Sequence, residues 1–220
     1  MNITVKDIVC DNEVKTLLEY GQKHLDELKY TEHSYRHAEI VSRVAGYILK
    51  EIGGSKREVD LAEIAGYLHD VGNSVNRNDH PNTGAILAYN ILLRMGMSFE
   101  EAVQVMTAIG NHDEQAGTAV SRISAALILA DKSDVHRTRV RNTDFATFDI
   151  HDRVNYAVEK SEVIVDTSRK VILLDLTIDT TICRLMEYFE IFLVRMIMNR
   201  RAAAFLGYTF ELIANQTKLL

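Results

Sequence analysis

The sequence predicts a mainly α-helical protein with a small α+β extension at its C-terminal end. Up to about Thr138, apolar residues recur at intervals of three and four, which is the period of amphipathic helices. The chain of 220 residues contains a single proline, Pro81. After Arg141, segments rich in Val, Ile and Leu flank a short polar turn, which is typical of a β-hairpin. We therefore divide the chain into a helical domain, residues 1–141, and an extension, residues 142–220.

The helical domain is predicted to contain amphipathic helices at residues 12–29, 34–52, 57–70, 82–95, 98–111 and 121–138. Gly53-Gly54 and Gly96 separate neighbouring helices, because glycine commonly ends a helix. Pro81 suits the first turn of a helix and favours an extended residue before it. His80 is therefore predicted to lie in the loop that leads into the fourth helix.

The extension is predicted to hold a β-hairpin or a three-stranded sheet together with one long helix. Residues 162–166 and 170–178 are the hairpin strands, on either side of the turn Thr167-Ser168-Arg169. The long helix runs from Asp179 to about Leu206, and the alternating residues 208–212 are compatible with a third strand. We expect the apolar face of this helix to form a homodimer interface. A regulatory ligand site on the sheet is the alternative.

His37 is the first of several metal-ligand residue types on an apolar helix face. Val41, Val44 and Ile48 follow it at offsets of 4, 7 and 11, so they share its face. His37 is therefore predicted to point into the core. Other predicted stripes lead in the same way to His69-Asp70, to His112 and to Asp131.

These residues are more informative together than singly. A lone inward histidine or aspartate is more often a hydrogen-bonded core group than a ligand. Several buried imidazoles and carboxylates without a cation would leave polar groups unpaired, at about 1–3 kcal/mol each. The sequence therefore predicts a two-metal hydrolytic site formed by His37, His69, Asp70, His80, His112 and Asp131. The other histidines are predicted to be surface residues: His24, His33, His136 and His151.

Through His37, His69-Asp70 and Asp131, the segment from residue 34 to residue 141 resembles the HD-domain superfamily of metal-dependent phosphohydrolases. The additional His80 and His112 are similar to the dinuclear subset of that superfamily. The resemblance implies a helical HD-domain bundle. It implies one ion on His37, His69, Asp70 and Asp131, and a second on His80 and His112, with Asp70 as the bridge. Iron or manganese is the expected metal, while zinc, cobalt, nickel or magnesium would also suit these ligands.

The resemblance also directs attention to the substrate contacts. In related chains the His-Asp pair is often followed by a glycine and then a lysine that meets the substrate. Asn73 stands at the position of that lysine here, and we expect it to line the substrate site. We expect Arg36, Arg77 or Lys132 to replace the lysine as the phosphate contact, with Lys132 preferred because it follows Asp131 directly. The neighbouring cations Arg137, Arg139 and Arg141 are predicted to be solvated surface charges.

The expected chemistry is hydrolysis of a phosphoester or phosphoanhydride, with a nucleotide or related small molecule as substrate. Asp70 would bridge the ions, Lys132 would steady developing negative charge, and Asp113 would protonate the leaving oxygen or orient water. Outer-shell hydrogen bonding to a ligand histidine is an equal alternative for Asp113. A di-iron oxygenase and a non-catalytic nucleotide-binding sensor remain the alternative functions, because resemblance does not fix the reaction.

Composition narrows the possible partners. The formal net charge of -6 argues against a broad nucleic-acid surface, which requires clustered excess lysine and arginine. Cys10 and Cys183 have no paired spacing, so we expect reduced thiols. No apolar run is long enough for a membrane span, and the N-terminal residues lack a signal-peptide pattern. We therefore expect a cytoplasmic protein.

Overall fold

The structure is a computed structural model that describes residues 2–220, so residue 1 of the predicted helical domain lies outside the described residues. Helices form most of the chain up to Ser133. Their bounds are α1 Val5–Cys10, α2 Asn12–Glu27, α3 Tyr35–Glu51, α4 Lys56–Leu68, α5 His80–Arg94, α6 Phe99–Gly110 and α7 Arg122–Ser133. A short 3-10 helix, Val71–Ser74, connects α4 to the loop before α5.

Helix α4 lies at the centre of the bundle and packs closely against α3. A Cβ atom on Gly66 would stand only 2.6 Å from the Cα atom of Ser42, so glycine is required at this crossing. Ser42 also donates a hydrogen bond to the carbonyl oxygen of Glu63, at 2.8 Å. This close crossing brings the end of α4, where His69 lies, next to His37 on α3.

The 3-10 helix packs equally closely on the start of α5. A Cβ atom on Gly72 would lie 2.1 Å from the carbonyl oxygen of His80 and 2.6 Å from the backbone nitrogen of Gly84. Both neighbours are backbone atoms, which cannot move away as a side chain can. The Gly72–Gly84 contact therefore sets the position of His80 relative to the His69-Asp70 pair.

The extension adds two α-helices, a short 3-10 helix at Phe145–Thr147 and a four-stranded sheet to the bundle. The elements are α8 Ile150–Ala157, β1 Val158–Asp166, β2 Val171–Ile178, α9 Leu185–Phe205, β3 Thr209–Ala214 and β4 Thr217–Lys218. The strand order is β1-β2-β3-β4, in which β1 and β2 form an antiparallel hairpin and β3 runs parallel to β2. Helix α9 is the crossover between these parallel strands, and it packs against α7 and α8.

The predicted fold class is confirmed: a helical bundle with a small α+β extension. The hairpin and the third strand are present, whereas α1, α8 and β4 were not predicted because they are too short to show a clear period. Helix α7 ends at Ser133, five residues before its predicted end. Helix α9 begins at Leu185 rather than Asp179, because the Asp179 carboxylate accepts hydrogen bonds from Thr181 and closes a turn there. His80 opens α5 instead of preceding it.

Two expectations about the extension stay predictions: the domain division at residue 141 and the homodimer. Met186, Leu193 and Val194 of α9 are exposed, so this helix does present apolar side chains outward. Within residues 2–220, the helices are too short or too polar to cross a membrane.

Candidate metal centre

The six predicted ligands meet in one buried cluster. The Nε2 atoms of His37 and His69 are 3.2 Å apart, and those of His80 and His112 are also 3.2 Å apart. The Asp70 carboxylate lies between the two pairs: its Oδ2 is 3.3 Å from His69 Nε2, and its Oδ1 is 3.5 Å from His80 Nε2. All six side chains are buried, and the most exposed of them, that of Asp131, is 11% exposed. The helices that carry these residues therefore converge on one point.

The donor atoms form three overlapping groups, each compact enough to hold a metal ion. They are His37 with His69 and Asp70, His69 with His112 and Asp131, and Asp70 with His80 and His112. Asp70 belongs to a group on each side of the cluster. This placement suits the bridging role that the resemblance implies. That the cluster holds two ions stays a prediction.

Each ligand histidine is held by its other ring nitrogen. The Nδ1 atoms of His69, His80 and His112 lie 2.6–2.8 Å from backbone carbonyl oxygens, of Gly66, Arg77 and Ile109 respectively. A carbonyl oxygen can only accept, so Nδ1 must carry the proton. Each Nε2 then presents a lone pair to the cluster, which is the form of imidazole that binds metals.

The chemistry of this donor set fits divalent metal ions. Without a cation, facing Nε2 lone pairs 3.2 Å apart would repel each other. Asp70 Oδ2 is also buried with no hydrogen-bond partner among residues 2–220. A buried unpaired carboxylate oxygen is costly, and a bound cation would satisfy it. Imidazole and carboxylate together suit iron, manganese, zinc, cobalt and nickel.

Electrostatics keep His112, Asp70 and Asp131 in their metal-binding forms, whereas the carboxylates of Asp70 and Asp131 outweigh burial and raise the pKa of His69. Burial lowers the pKa of His112 to about 3, and the neighbouring His69 acts in the same direction. Burial alone would raise the pKa of the Asp70 and Asp131 carboxyls. The histidines around Asp70 and the ammonium of Lys132 beside Asp131 outweigh it, so both pKa values lie well below their usual range. A neutral His112 and ionised carboxylates are the states that a metal requires.

Asp134 is a site residue that the sequence analysis missed. Its Oδ2 accepts a hydrogen bond from Nδ1 of His37 at 2.7 Å, and both side chains are buried. Burial would raise the pKa of Asp134, but Arg139 and His37 lower it far below the usual value. This carboxylate orients His37 towards the cluster. Its position three residues after Asp131, on the same side of the chain, was the available signal.

Two of the predicted surface residues are buried beside the centre. The ring of His33 lies 5.4 Å from that of His37, and Arg139 is only 2% exposed. The Arg139 guanidinium donates hydrogen bonds to the carbonyl oxygens of Glu32 and Asp134. Because Glu32 is far away in the sequence, the sequence around Arg139 did not indicate that its charge would be buried. The surface prediction was wrong for these two, whereas His24 and His151 are exposed and His136 is half-buried.

The predicted substrate residues divide into two groups. Lys132, Arg77 and Asp113 line the cavity over the ligands. Lys132 Nζ lies 2.7 Å from Asp131 Oδ2 and 3.0 Å from Glu114 Oε2. Lys132 and Arg195 outweigh the burial of Glu114 and lower its pKa to about 2. The ammonium of Lys132 therefore stands between two carboxylates at the edge of the centre.

The structure does not bring Arg36 and Asn73 into this cavity. Arg36 lies behind His37, where its guanidinium pairs with Glu32 at 3.2 Å and with Asp134 at 3.3 Å. Asn73 is buried beneath Arg77, and its Oδ1 accepts a hydrogen bond from Arg77 Nη1 at 3.2 Å. Neither side chain lines the cavity over the ligands. Arg36 is paired with carboxylates behind His37, and Asn73 contacts Arg77 from below, so their predicted contacts with substrate stay predictions.

The fold and the site together define a helical protein with a histidine and aspartate centre suited to divalent metals. The HD domain family model matches residues 30–139, half of the chain, so the chain belongs to the HD-domain family. A protein of Methanocaldococcus jannaschii called "Uncharacterized protein MJ1020" is 28% identical over 181 residues, covering 71% of this chain and 69% of the relative. A crystal structure of a predicted HD superfamily hydrolase from an uncultured Thermotogales bacterium is 24% identical, with a TM-score of 0.44, and covers 56% of this chain and 67% of that one. Family membership and the ligand clusters support a metal-dependent hydrolase.

Proposed function

We propose that this protein is a phosphohydrolase that cleaves a phosphoester or phosphoanhydride of a nucleotide or related small molecule at a dinuclear metal centre. The observation that carries the proposal is the buried pair of facing histidine contacts with the Asp70 carboxylate between them. The HD-domain family membership supports the hydrolase class. Iron or manganese is the proposed metal.

His37, His69, Asp70 and Asp131 would hold one ion, and His80 and His112 would hold the second together with Asp70. When bound, such ions supply Lewis acidity that activates water and neutralises phosphoryl charge. The protein's own contribution is the fixed tautomer of each histidine and the exclusion of bulk water from the buried cluster.

Cationic side chains would bind the phosphoryl group at the rim. Arg77 Nη1 lies 3.8 Å from Asp70 Oδ1, and Lys132 is held between Asp131 and Glu114, so both charges stand at the edge of the ligand cluster. A guanidinium can bind two phosphate oxygens at once, whereas an ammonium acts as a point charge. Arg77 would therefore orient the phosphoryl group, and Lys132 would stabilise charge that develops on it.

Asp113 would serve the leaving group. Its carboxylate lines the cavity next to His112, and one oxygen accepts a hydrogen bond from the backbone nitrogen of Gln115 at 3.0 Å. That bond fixes the side chain and leaves the second oxygen to exchange a proton with the leaving oxygen or a water.

The test is metal analysis of the purified protein together with a phosphoester panel assayed in Mn²⁺, Fe²⁺, Co²⁺ and Mg²⁺. We expect about two ions per chain and turnover of at least one phosphoester. Asp70→Ala should lose both, since Asp70 lies in two of the three ligand groups. Asp26→Ala, an exposed charge on α2, is the matched control and should change neither.

Two results would contradict the proposal. Full activity of Asp70→Ala on each phosphoester that the wild type cleaves would show that the cluster is not the catalytic site. Oxygen consumption that requires iron, with no phosphoester turnover, would replace hydrolysis by the oxygenase alternative.

A further inference from the structure

The cavity directly over the ligand cluster is too small to hold an organic group. Its volume is about 10 Å³, about the space that one water requires. A second cavity of about 370 Å³ adjoins it. Both are lined by His33, Arg77, Arg139 and Arg195, so these side chains form the boundary between the two spaces. A molecule whose phosphate reached the cluster would place its remaining atoms in the larger cavity, which we call the outer chamber.

Helices α8 and α9 of the extension form one wall of the outer chamber. Asp149, Asp152 and Asn155 line it from α8 and its N-cap, and Phe192 and Arg195 line it from α9. The bundle alone would leave this side of the cavity open. Since α9 packs on α7, the helix that carries Asp131, the extension is directly attached to the metal centre.

Arg195 is held in place at the boundary. Its Nε lies 2.7 Å from Glu114 Oε1, and its guanidinium stacks on the ring of Phe192, 4.6 Å from the ring centre. Arg77 lies in the helical domain, in the loop before α5, and its guanidinium is 5.8 Å from the ring centre of Tyr30. Each of these guanidinium groups therefore rests on an aromatic ring of the outer chamber while it reaches the cavity over the ligands. Such fixed guanidinium groups bind phosphate with little loss of side-chain entropy.

The two ends of the outer chamber differ in charge. The inner end carries the guanidinium groups of Arg77, Arg139 and Arg195. Two carboxylates, Asp149 and Asp152, and one ammonium, Lys29, line the chamber but not the cavity over the ligands. One oxygen of Asp149 accepts from the backbone nitrogen of Asp152, and one oxygen of Asp152 accepts from Asn142. Each carboxylate retains an oxygen that can accept from a ligand. The chamber is thus suited to a molecule that is anionic at one end and rich in hydrogen-bond donors at the other.

We propose that the extension completes the substrate site. Arg195 binds the phosphate of the substrate, and Asp152 with its neighbours on α8 selects a phosphomonoester whose organic part bears hydroxyl or amino donors and is about the size of one nucleoside. This assignment rests on the proposed phosphohydrolase function. A cavity of 370 Å³ is at the lower end of the range for small-molecule sites, about 300–1,000 Å³, so it fits a single nucleoside and not a dinucleotide.

The test measures binding of ligands that cannot be hydrolysed to the manganese-loaded full chain by titration calorimetry. The probes are inorganic phosphate, benzylphosphonate and the phosphonate analogue of AMP. Arg195→Gln should weaken all three by about tenfold, because all three present the same anionic group. Asp152→Ala should weaken only the AMP analogue, by about fivefold, because the benzyl group has no donor. Arg200→Gln, an exposed arginine on the same helix, should change none.

Arg195→Lys separates binding from folding. It keeps a cation opposite Glu114, so its dissociation constants should lie between those of the wild type and Arg195→Gln, with manganese content and unfolding temperature unchanged. Unaltered binding in Arg195→Gln, or equal loss of metal, stability and binding in both Arg195 variants, would overturn the inference.

The outcomes also distinguish the two proposals. If the analogues bind in the expected pattern but no phosphoester is cleaved, the chamber assignment stands and the proposed activity fails. If phosphoesters are cleaved while the variants bind all probes as the wild type does, the activity stands and the role of the extension is refuted.

Discussion

Asp134→Asn tests whether the carboxylate behind His37 tunes the metal centre. Asp134 Oδ2 accepts from His37 Nδ1 at 2.7 Å, and the same carboxylate faces Arg36 at 3.3 Å and Arg139 at 3.8 Å. Asparagine has nearly the same size and can still accept a hydrogen bond through its oxygen. The substitution therefore removes the charge and leaves the packing and the orientation of His37 largely intact.

The expected loss in metal affinity follows from that contact. A carboxylate that accepts a hydrogen bond from an imidazole makes the other ring nitrogen a more basic metal ligand. Loss of such a carboxylate typically lowers metal affinity by about 10–100-fold. Because the amide of asparagine still holds the ring, we expect about tenfold, which is about 1.4 kcal/mol. Arg139 keeps its bonds to the carbonyl oxygens of Glu32 and Asp134, so the free energy of unfolding should fall by only about 1–3 kcal/mol.

Metal affinity is measured by competition with a chromophoric chelator, and unfolding by urea denaturation followed by circular dichroism. Asp79→Asn is the matched control, because it removes one exposed carboxylate next to His80 without touching a ligand ring. The reasoning is refuted if Asp134→Asn binds metal within twofold of the wild type while folded. The reasoning is also refuted if Asp79→Asn weakens metal binding as much as Asp134→Asn does, since the effect would then come from net charge.

Two further changes test the packing and the protonation of the site. Gly72→Ala should lower the free energy of unfolding by about 1–3 kcal/mol and weaken metal binding, because its Cβ atom would meet the backbone of His80. Gly110→Ala is the control, since its Cβ atom would make only an ordinary contact at 3.7 Å and should have neither effect. Equal losses of stability for the two variants in urea denaturation would refute the close approach at Gly72. Burial lowers the pKa of His112 from 6.5 to about 3, so in this window the unfolded chain binds a proton that the folded metal-free protein excludes. The free energy of unfolding should therefore decrease as pH falls from about 6.5 towards 3. In urea denaturation across this range, the free energy of unfolding of His112→Gln should depend less on pH than that of the wild type. An equal pH dependence of the two proteins would contradict a buried neutral ring.

Local sequence patterns predicted most of the helical domain and most of the candidate metal ligands. The apolar stripes of α3, α4, α6 and α7 are long enough to show a helical period, and that period also showed which histidines point inward. Five of the six candidate ligands were predictable because each lies on such a face or directly beside one, whereas His80 was predicted to lie in a loop. Short elements such as α1 and α8 were missed because six or eight residues cover only about two turns.

Only the tertiary structure shows which charged side chains reach the candidate site. Arg139 and Glu32 are joined by hydrogen bonds across 107 residues of sequence, and Arg195 reaches the ligand cavity from a helix of the extension. Arg36 was expected in the cavity and lies behind His37, because helix α3 turns the two adjacent side chains in different directions. Helix periodicity separates inward from outward residues within one element. The partner that a long charged side chain finds depends on how separate elements pack. The sequence therefore predicted the candidate metal ligands, and only the tertiary structure showed which charged side chains line the cavity beside them.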